Sequence, residues 1–220
     1  MVPQFATIIL DFDSTLVQSE SLEDLAYIAL RNSPDRAARV QAIADLTNKA
    51  MCGTLRFDDA LTQRIQLLQA RKEHIEELVC VLRRKLTPSF MRNRVWFRNN
   101  RDRLYIVSGG FREFIVPVMI PFGFRAEHIF ANTFVFDEIG NIVGADSTNL
   151  LSQEDGKTKL LHSLQLPSPR LSSGDGFSDY QLRRSGECDM FYVLTENIYR
   201  PDVVKYADRI LESFDGILSV

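Results

Sequence analysis

From Thr7 to Leu10 the chain is almost wholly apolar, and it then breaks into Asp-Phe-Asp-Ser-Thr. A short Ile-rich run of this kind predicts a strand buried on both faces. Between residues 19 and 86 apolar positions recur every three or four residues instead: Leu22, Leu25, Ala26, Ala29; Val40, Ile43, Leu46; Leu61, Ile65, Leu68; Ile75, Leu78, Val79, Leu82. That spacing predicts about four helices and no strand. Pro34 is placed to open one helix at its first position, and Asp58 to cap another. After Thr87-Pro88 strand and helix patterns alternate. Residues 104–107 predict a strand ended by Ser108-Gly109-Gly110. Residues 111–120 predict a helix that Pro117 kinks or shortens. Residues 134–143 predict a hairpin turning at Ile139-Gly140-Asn141. A helix is expected over 157–164 and a strand over Met190–Leu194. Residues 171–173 are also placed as a strand, although they are few and polar.

This order predicts an α/β fold: a Rossmann-like, mostly parallel sheet flanked by helices, with a helical cap inserted after the first strand. The expected division is a catalytic core of residues 1–16 and 87–220 and a cap of residues 17–86. Open α/β sheets bind ligands outside the carboxyl ends of their strands. Asp11, Asp13, Ser108 and Asp175 would all lie on that rim.

Composition narrows the partners. The 220 residues are 45% hydrophobic and 25% charged, with a formal net charge of −3. These are ordinary values for a chain that buries a core. Arg83-Arg84-Lys85 is too short a basic run to track a nucleic-acid backbone, so nucleic acid is not expected as a partner. Cys52, Cys80 and Cys188 are odd in number and far apart, which argues against a disulfide framework or a structural zinc site. No apolar run is long enough to span a membrane, and no leader signal opens the chain. The expectation is a cytoplasmic protein. His74, His128 and His162 show no metal-ligand spacing, and Trp96 is expected in packing.

The chemistry sits at the strand ends. A spacing of two residues puts Asp11 and Asp13 on one side of an extended chain, and carboxylates that close repel unless a cation lies between them. Asp175 and Asp179 follow another predicted strand within Gly-Asp-Gly-Phe-Ser-Asp. Converging carboxylates suit a hard cation such as Mg²⁺. Val107-Ser108-Gly109-Gly110 offers a hydroxyl and backbone donors at a strand end, which suits an anion. Lys157 opens a predicted helix after Gly156.

Taken in order, "DFDSTL", "SGG", Lys157 and "GDGFSD" resemble the four motifs of haloacid-dehalogenase-superfamily phosphatases. The helical insertion resembles their cap. "DFDSTLV" followed by Glu20, "MCGTLRFDDALTQRI" and "TPSF…YIVSGGF" resemble most nearly the phosphoserine phosphatase branch. The resemblance implies that Asp11 is a nucleophile forming an aspartyl-phosphate. Asp13 would protonate the leaving alkoxide and then activate water. Ser108, Gly109 and Lys157 would hold the phosphoryl oxygens. Asp11, the main-chain carbonyl of Asp13, and Asp175 would bind Mg²⁺, with Asp179 and Ser178 in support. Glu20 and Arg64 would grip the substrate's ammonium and carboxylate, and Met51 and Phe57 would belong to a lid or to the cap core.

The chain departs from that branch where Phe177-Ser178 stand in place of Ala-Asn. The substrate class expected is a small phosphorylated metabolite, O-phosphoserine first. A sugar phosphate, a methionine-salvage intermediate, or transfer to a hydroxyl other than water are the alternatives. A receiver domain, which also phosphorylates an aspartate, would lack both Asp13 and the large insertion.

Overall fold

The computed structural model describes residues 5–51 and 54–218; Cys52 lies outside them. Strand β1 (Thr7–Leu10) is followed by α1 (Ser21–Ala29), α2 (Arg36–Met51), α3 (Phe57–Leu68), α4 (Lys72–Arg84), α5 (Pro88–Arg92) and α6 (Arg94–Asn99). Then come β2 (Leu104–Phe111), α7 (Arg112–Met119), β3 (Ile129–Asn132), β4 (Phe134–Phe136) and β5 (Ile142–Ala145). The chain closes with α8 (Gly156–Leu164), β6 (Arg170–Gly174), α9 (Phe177–Arg184), β7 (Met190–Leu194), α10 (Pro201–Val204) and β8 (Arg209–Leu211).

Six strands form one sheet in the order β3-β2-β1-β6-β7-β8, every pair parallel. Strand β1 is buried along its whole length, as its unbroken apolar run requires when helices cover both faces. The sheet is thus the parallel α/β sheet expected, with a helical insertion after β1. β4 and β5 form a separate antiparallel hairpin with Gly140 in its turn at φ +83°.

The insertion leaves and re-enters the core at one place. Val17 and Leu86 form an isolated antiparallel bridge, with Gln18 N donating to Lys85 O at 2.8 Å and Thr87 N to Leu16 O at 3.0 Å. The Asn197 amide nitrogen, from the loop after β7, lies within 3.2 Å of the carbonyls of Ser14, Thr15 and Val17 and 2.7 Å from Thr87 Oγ1. At its far end the insertion rests on the hairpin: Lys72 N donates to Gly140 O and Ile142 N to Ala70 O, each at 2.9 Å.

Several elements differ from the sequence-based expectation. Strand β2 does not stop at Val107; it runs to Phe111, which pairs with Asn132 after a register shift. Ser108-Gly109-Gly110 is the irregular stretch of a continuing strand, a common device for aiming groups at a site. Helix α7 tolerates Pro117 and ends two residues later, where a 3₁₀ turn takes over. Helix α2 begins at Arg36, two residues past Pro34. Asp58 lies inside the first turn of α3 rather than at its cap. The donor at that helix start, Phe57 N, reaches instead a core carboxylate, Glu154 Oε2, at 2.7 Å. The polar strand β6 is central, and Ser172 and Ser173 are buried in it.

Candidate active site

Asp11 is the first residue beyond β1, and its N–H donates to Ser173 O at 3.0 Å, which keeps it in line with β6. Phe12 points the other way, fully buried beside Phe114. The alternation therefore lifts Asp11 and Asp13 together to the rim. Ser14 then turns the chain through a left-handed conformation (φ 51°). Asp11 Oδ1 accepts from Phe12 N at 2.7 Å, and Oδ2 lies 3.0 Å from Lys157 Nζ. Asp13 is held at both oxygens by Ser21, through N–H at 3.0 Å and Oγ at 2.9 Å.

Asp175 and Asp179 enter from the β6–α9 turn. Two glycines make the approach possible. A Cβ at Gly174 would fall 2.2 Å from Asp179 Oδ2, and one at Gly156 would fall 2.2 Å from Leu150 O. The first lets Asp179 fold back against the strand; the second packs the start of α8 tightly enough to aim Lys157 inward. Lys157 Nζ donates to Asp179 Oδ1 at 2.7 Å. Asp179 Oδ2 accepts from Gly176 N at 3.1 Å. Asp175 Oδ1 accepts from Thr15 Oγ1 at 3.1 Å and Oδ2 from Arg200 Nε at 2.8 Å.

Among the described residues, Asp11, Asp175 and Asp179 offer carboxylate oxygens that all lie within 4.8 Å of one another. Three buried hard oxygen donors, with no thiolate or imidazole among them, fit a divalent cation of the Mg²⁺ type. Crowding shows in the proton affinities. Burial, then Glu20 and Asp11, hold Asp13 well above the ordinary carboxylate range. Burial followed by Glu20 raises Asp175 to about 6, with Arg200 pulling the other way. Burial raises Asp179 to about 7 against the pull of Lys157. Burial works against the charge of Lys157, but Asp11 and Asp179 more than offset it and hold the ammonium protonated.

The cap faces this cluster with Glu20, Met51, Phe57 and Arg64. Glu20 Oε1 accepts from Ser14 Oγ at 2.7 Å, and burial raises its proton affinity. Arg64 is 6% exposed. Its direct partners are neutral: Ala60 O at 3.3 Å, Thr47 Oγ1 at 3.4 Å and the Phe57 ring at 5.8 Å. No carboxylate oxygen of the described residues comes within 4 Å of it. Ser108 is buried, with Oγ accepting from Gly110 N at 3.0 Å. The Phe57 ring lies directly over Gly109, where a Cβ would be 2.7 Å from it.

Two chambers meet at Asp11. The narrow one, about 20 Å³, is lined by Asp13, Glu20, Arg64 and Ser108. The wider, about 140 Å³, lies on the Lys157 side with Phe177, Ser178 and Gln181 in its wall. Met51, Phe57 and Gly109 line both. The narrow chamber has room for little more than a water molecule, so a three-carbon ligand enters it only if the cap side chains shift.

The site residues singled out in the sequence thus lie around Asp11, Ser178 only as part of the wall of the wider chamber. Thr15, Ser21, Asn197 and Arg200 were not foreseen. The last two follow β7 on the carboxyl side of the sheet, and the rim rule that located Asp175 would have found them. Ser21 carries no such signal. The histidines lie elsewhere: His128 stacks on Tyr105 and His162 meets Glu187.

The family profile described as haloacid dehalogenase-like hydrolase matches residues 8–184. The chain belongs to the haloacid dehalogenase-like hydrolases. Within that family it is similar to the chloroplastic phosphoserine phosphatase of Arabidopsis thaliana, 29% identical over 212 residues that cover 95% of this chain and 69% of that one. It is also similar to the phosphoserine phosphatase of Homo sapiens, at 26% identity over 94% of this chain and 89% of that one. A phosphoserine phosphohydrolase-like protein from Francisella tularensis superposes with a TM-score of 0.86 at 28% identity, covering 97% and 98% of the two chains. A substrate-bound phosphoserine phosphatase complex shares the fold, with a TM-score of 0.78 at 21% identity over 99% and 98%. The chain is therefore a haloacid dehalogenase-like phosphatase related to phosphoserine phosphatases. Among the described residues no helix is long and apolar enough to cross a membrane.

Proposed function

We propose that this protein hydrolyses O-phosphoserine to serine and phosphate through an aspartyl-phosphate on Asp11, with Mg²⁺ as cofactor. Residues 1–16 and 87–220 would form the catalytic core and residues 17–86 the cap. Asp11 attacks phosphorus, and the ester P–O bond breaks. Asp13 gives its proton to the leaving serine oxygen. It then takes a proton from the water that attacks the phosphoryl group and frees Asp11. A carboxylate nucleophile splits one hard displacement into two easier ones. Asp13 suits both proton transfers, because its raised proton affinity brings it nearer the working pH. Ser108, Gly109 and Lys157 bind the phosphoryl oxygens. Asp11, the main-chain carbonyl of Asp13, and Asp175 would hold the metal, with Asp179 and Ser178 in support. When bound, the cation supplies positive charge that offsets repulsion between the phosphate dianion and Asp11.

The observation that carries the substrate reading is Arg64. A guanidinium buried to 6% exposure beside Asp13 and Ser108, with neutral partners only, is suited to a ligand carboxylate. Glu20 across the same chamber would face the ammonium. Phosphate release from O-phosphoserine, O-phosphothreonine, sugar phosphates and a simple alkyl phosphate, each with Mg²⁺, tests the reading. O-Phosphoserine is expected to lead in kcat/KM. Equal rates on the simple alkyl ester would remove the substrate assignment.

A further inference from the structure

The two residues that would recognise the amino-acid end are unequally committed. Arg64 touches only neutral groups. Glu20 is already served twice from within the protein, by the Ser14 hydroxyl at 2.7 Å and by Arg200 Nη2 at 3.4 Å from the same oxygen. Arg200 comes from the loop after β7, directly before Pro201, and is 9% exposed. Its Nε binds Asp175 Oδ2 at 2.8 Å, and its Nη1 reaches Asn48 Oδ1 on the cap helix α2 at 3.3 Å. One guanidinium therefore ties a core carboxylate, the entrance of the cap and a cap helix together, and it places a fixed positive charge against Glu20.

We propose that Arg200 sets the specificity of this site by giving Glu20 an internal cation, so that the substrate needs its carboxylate but not its ammonium; the proposal rests on the phosphoserine reading above. The substrate class is then phosphate esters of small β-hydroxy carboxylic acids, aminated or not. The physics is a balance of charges. An ammonium approaching Glu20 gains the carboxylate's attraction but meets Arg200 of its own sign. A carboxylate approaching Arg64 meets a cation that no carboxylate of the described residues contacts, although Glu20, Asp13 and Glu23 act on it from farther off. Desolvation adds to the contrast, because an ammonium leaving water must recover strong partners, and one of the two Glu20 oxygens, Oε1, is already engaged.

The test compares O-phosphoserine with its deaminated counterpart, 3-phosphooxypropanoate, at saturating Mg²⁺. The ratio of the two kcat/KM values cancels phosphoryl and metal effects that both substrates share. An unopposed charged contact to the ammonium would favour phosphoserine by one to two decades. The expected wild-type ratio is below about tenfold. Arg200→Gln removes the competing charge and is expected to raise the ratio about tenfold, whatever it does to the overall rate. Arg200→Lys keeps the charge and should hold the ratio near the wild-type value. A purely structural role for Arg200 would lower both substrates alike in all variants. A wild-type ratio above tenfold overturns the proposal without any variant, and so does a ratio that Arg200→Gln leaves unmoved. If neither substrate is turned over while an aryl phosphate is, the phosphoserine reading itself falls, and this proposal with it.

Discussion

Lys157 and Arg64 are both buried cations beside Asp11, and the protein keeps them in opposite ways. Lys157 sits between two carboxylates at 3.0 and 2.7 Å. Arg64 rests on a carbonyl, a hydroxyl and an aromatic face. An uncompensated buried charge is costly. The core meets that cost with its own anions, so Lys157 is already held against Asp11, where the proposed reaction would place the phosphoryl group. The cap gives Arg64 neutral groups in direct contact, with Glu20, Asp13 and Glu23 acting on it only from beyond ion-pair distance, so a direct ion pair is left for an anion that comes from outside. On the proposed reading, the difference teaches that the reaction end is assembled before substrate arrives, whereas the recognition end is completed by it.

The sharpest break in the reaction end is Asp11→Asn. The amide keeps the shape but is a poor nucleophile and weak metal ligand. Phosphate release should fall to background while circular dichroism stays native. Near-normal turnover in a preparation shown free of deamidation would take the nucleophile role from Asp11.

Asp13→Asn comes next. General acid–base help is typically worth about 10²- to 10⁴-fold, so hydrolysis of alkyl phosphates should drop within that range. An aryl phosphate has a better leaving group and should lose much less. Equal losses on both would count against Asp13 as the proton donor.

At the recognition end, Arg64→Ala should lower kcat/KM for O-phosphoserine by about one to two decades and scarcely change hydrolysis of an ester without a carboxylate. If both substrates suffer alike, Arg64 braces the cap and the contrast with Lys157 loses its meaning.

The smallest effect is on stability. Asp175 and Asp179 have proton affinities raised to about 6 and about 7 by burial, above the ordinary value of about 3.9. The folded protein therefore holds protons that the unfolded chain has lost. That contribution favours folding at the acid end and fades as pH climbs through 6 and 7. With a chelator present, Tm should fall between pH 5.5 and 7.5, and Mg²⁺ should flatten the slope by favouring the ionised carboxylates. A chelated protein whose Tm rises over that interval would show that the cluster is not crowded as described.

How much of this was legible beforehand depends on where each residue's partner lies. β1 was readable because four consecutive apolar residues have few other solutions. The cap helices were readable from their period, and Asp11, Asp13 and Lys157 from motif order. β6 was hard to place because it is polar yet central: Ser172 Oγ donates to Asp179 O at 3.1 Å, a bond no local pattern reveals, and the Ser173 hydroxyl is buried without a hydrogen-bond partner. The stretch Ser108–Gly110 reads as a turn, yet the strand bulges there and resumes its pairing with β3 at Phe111. Ser21 and Arg200 act across 8 and 25 residues of sequence on Asp13 and Asp175, and neither spacing belongs to a helix or strand repeat.

The doorway at Val17 and Leu86 has a consequence for how the molecule could be rebuilt. The two crossings are bridged partners, clasped by the one amide of Asn197. To the sheet, everything between them is equivalent to a tight loop, whatever its length. A different folded module grafted between Gln18 and Lys85 would leave the strand order and the carboxylate cluster topologically untouched. It would, however, remove Ser21 with its two hydrogen bonds to Asp13, together with Glu20, Asn48 and Arg64, so the strand order can survive the exchange at this junction while the support of Asp13 and the proposed substrate contacts cannot.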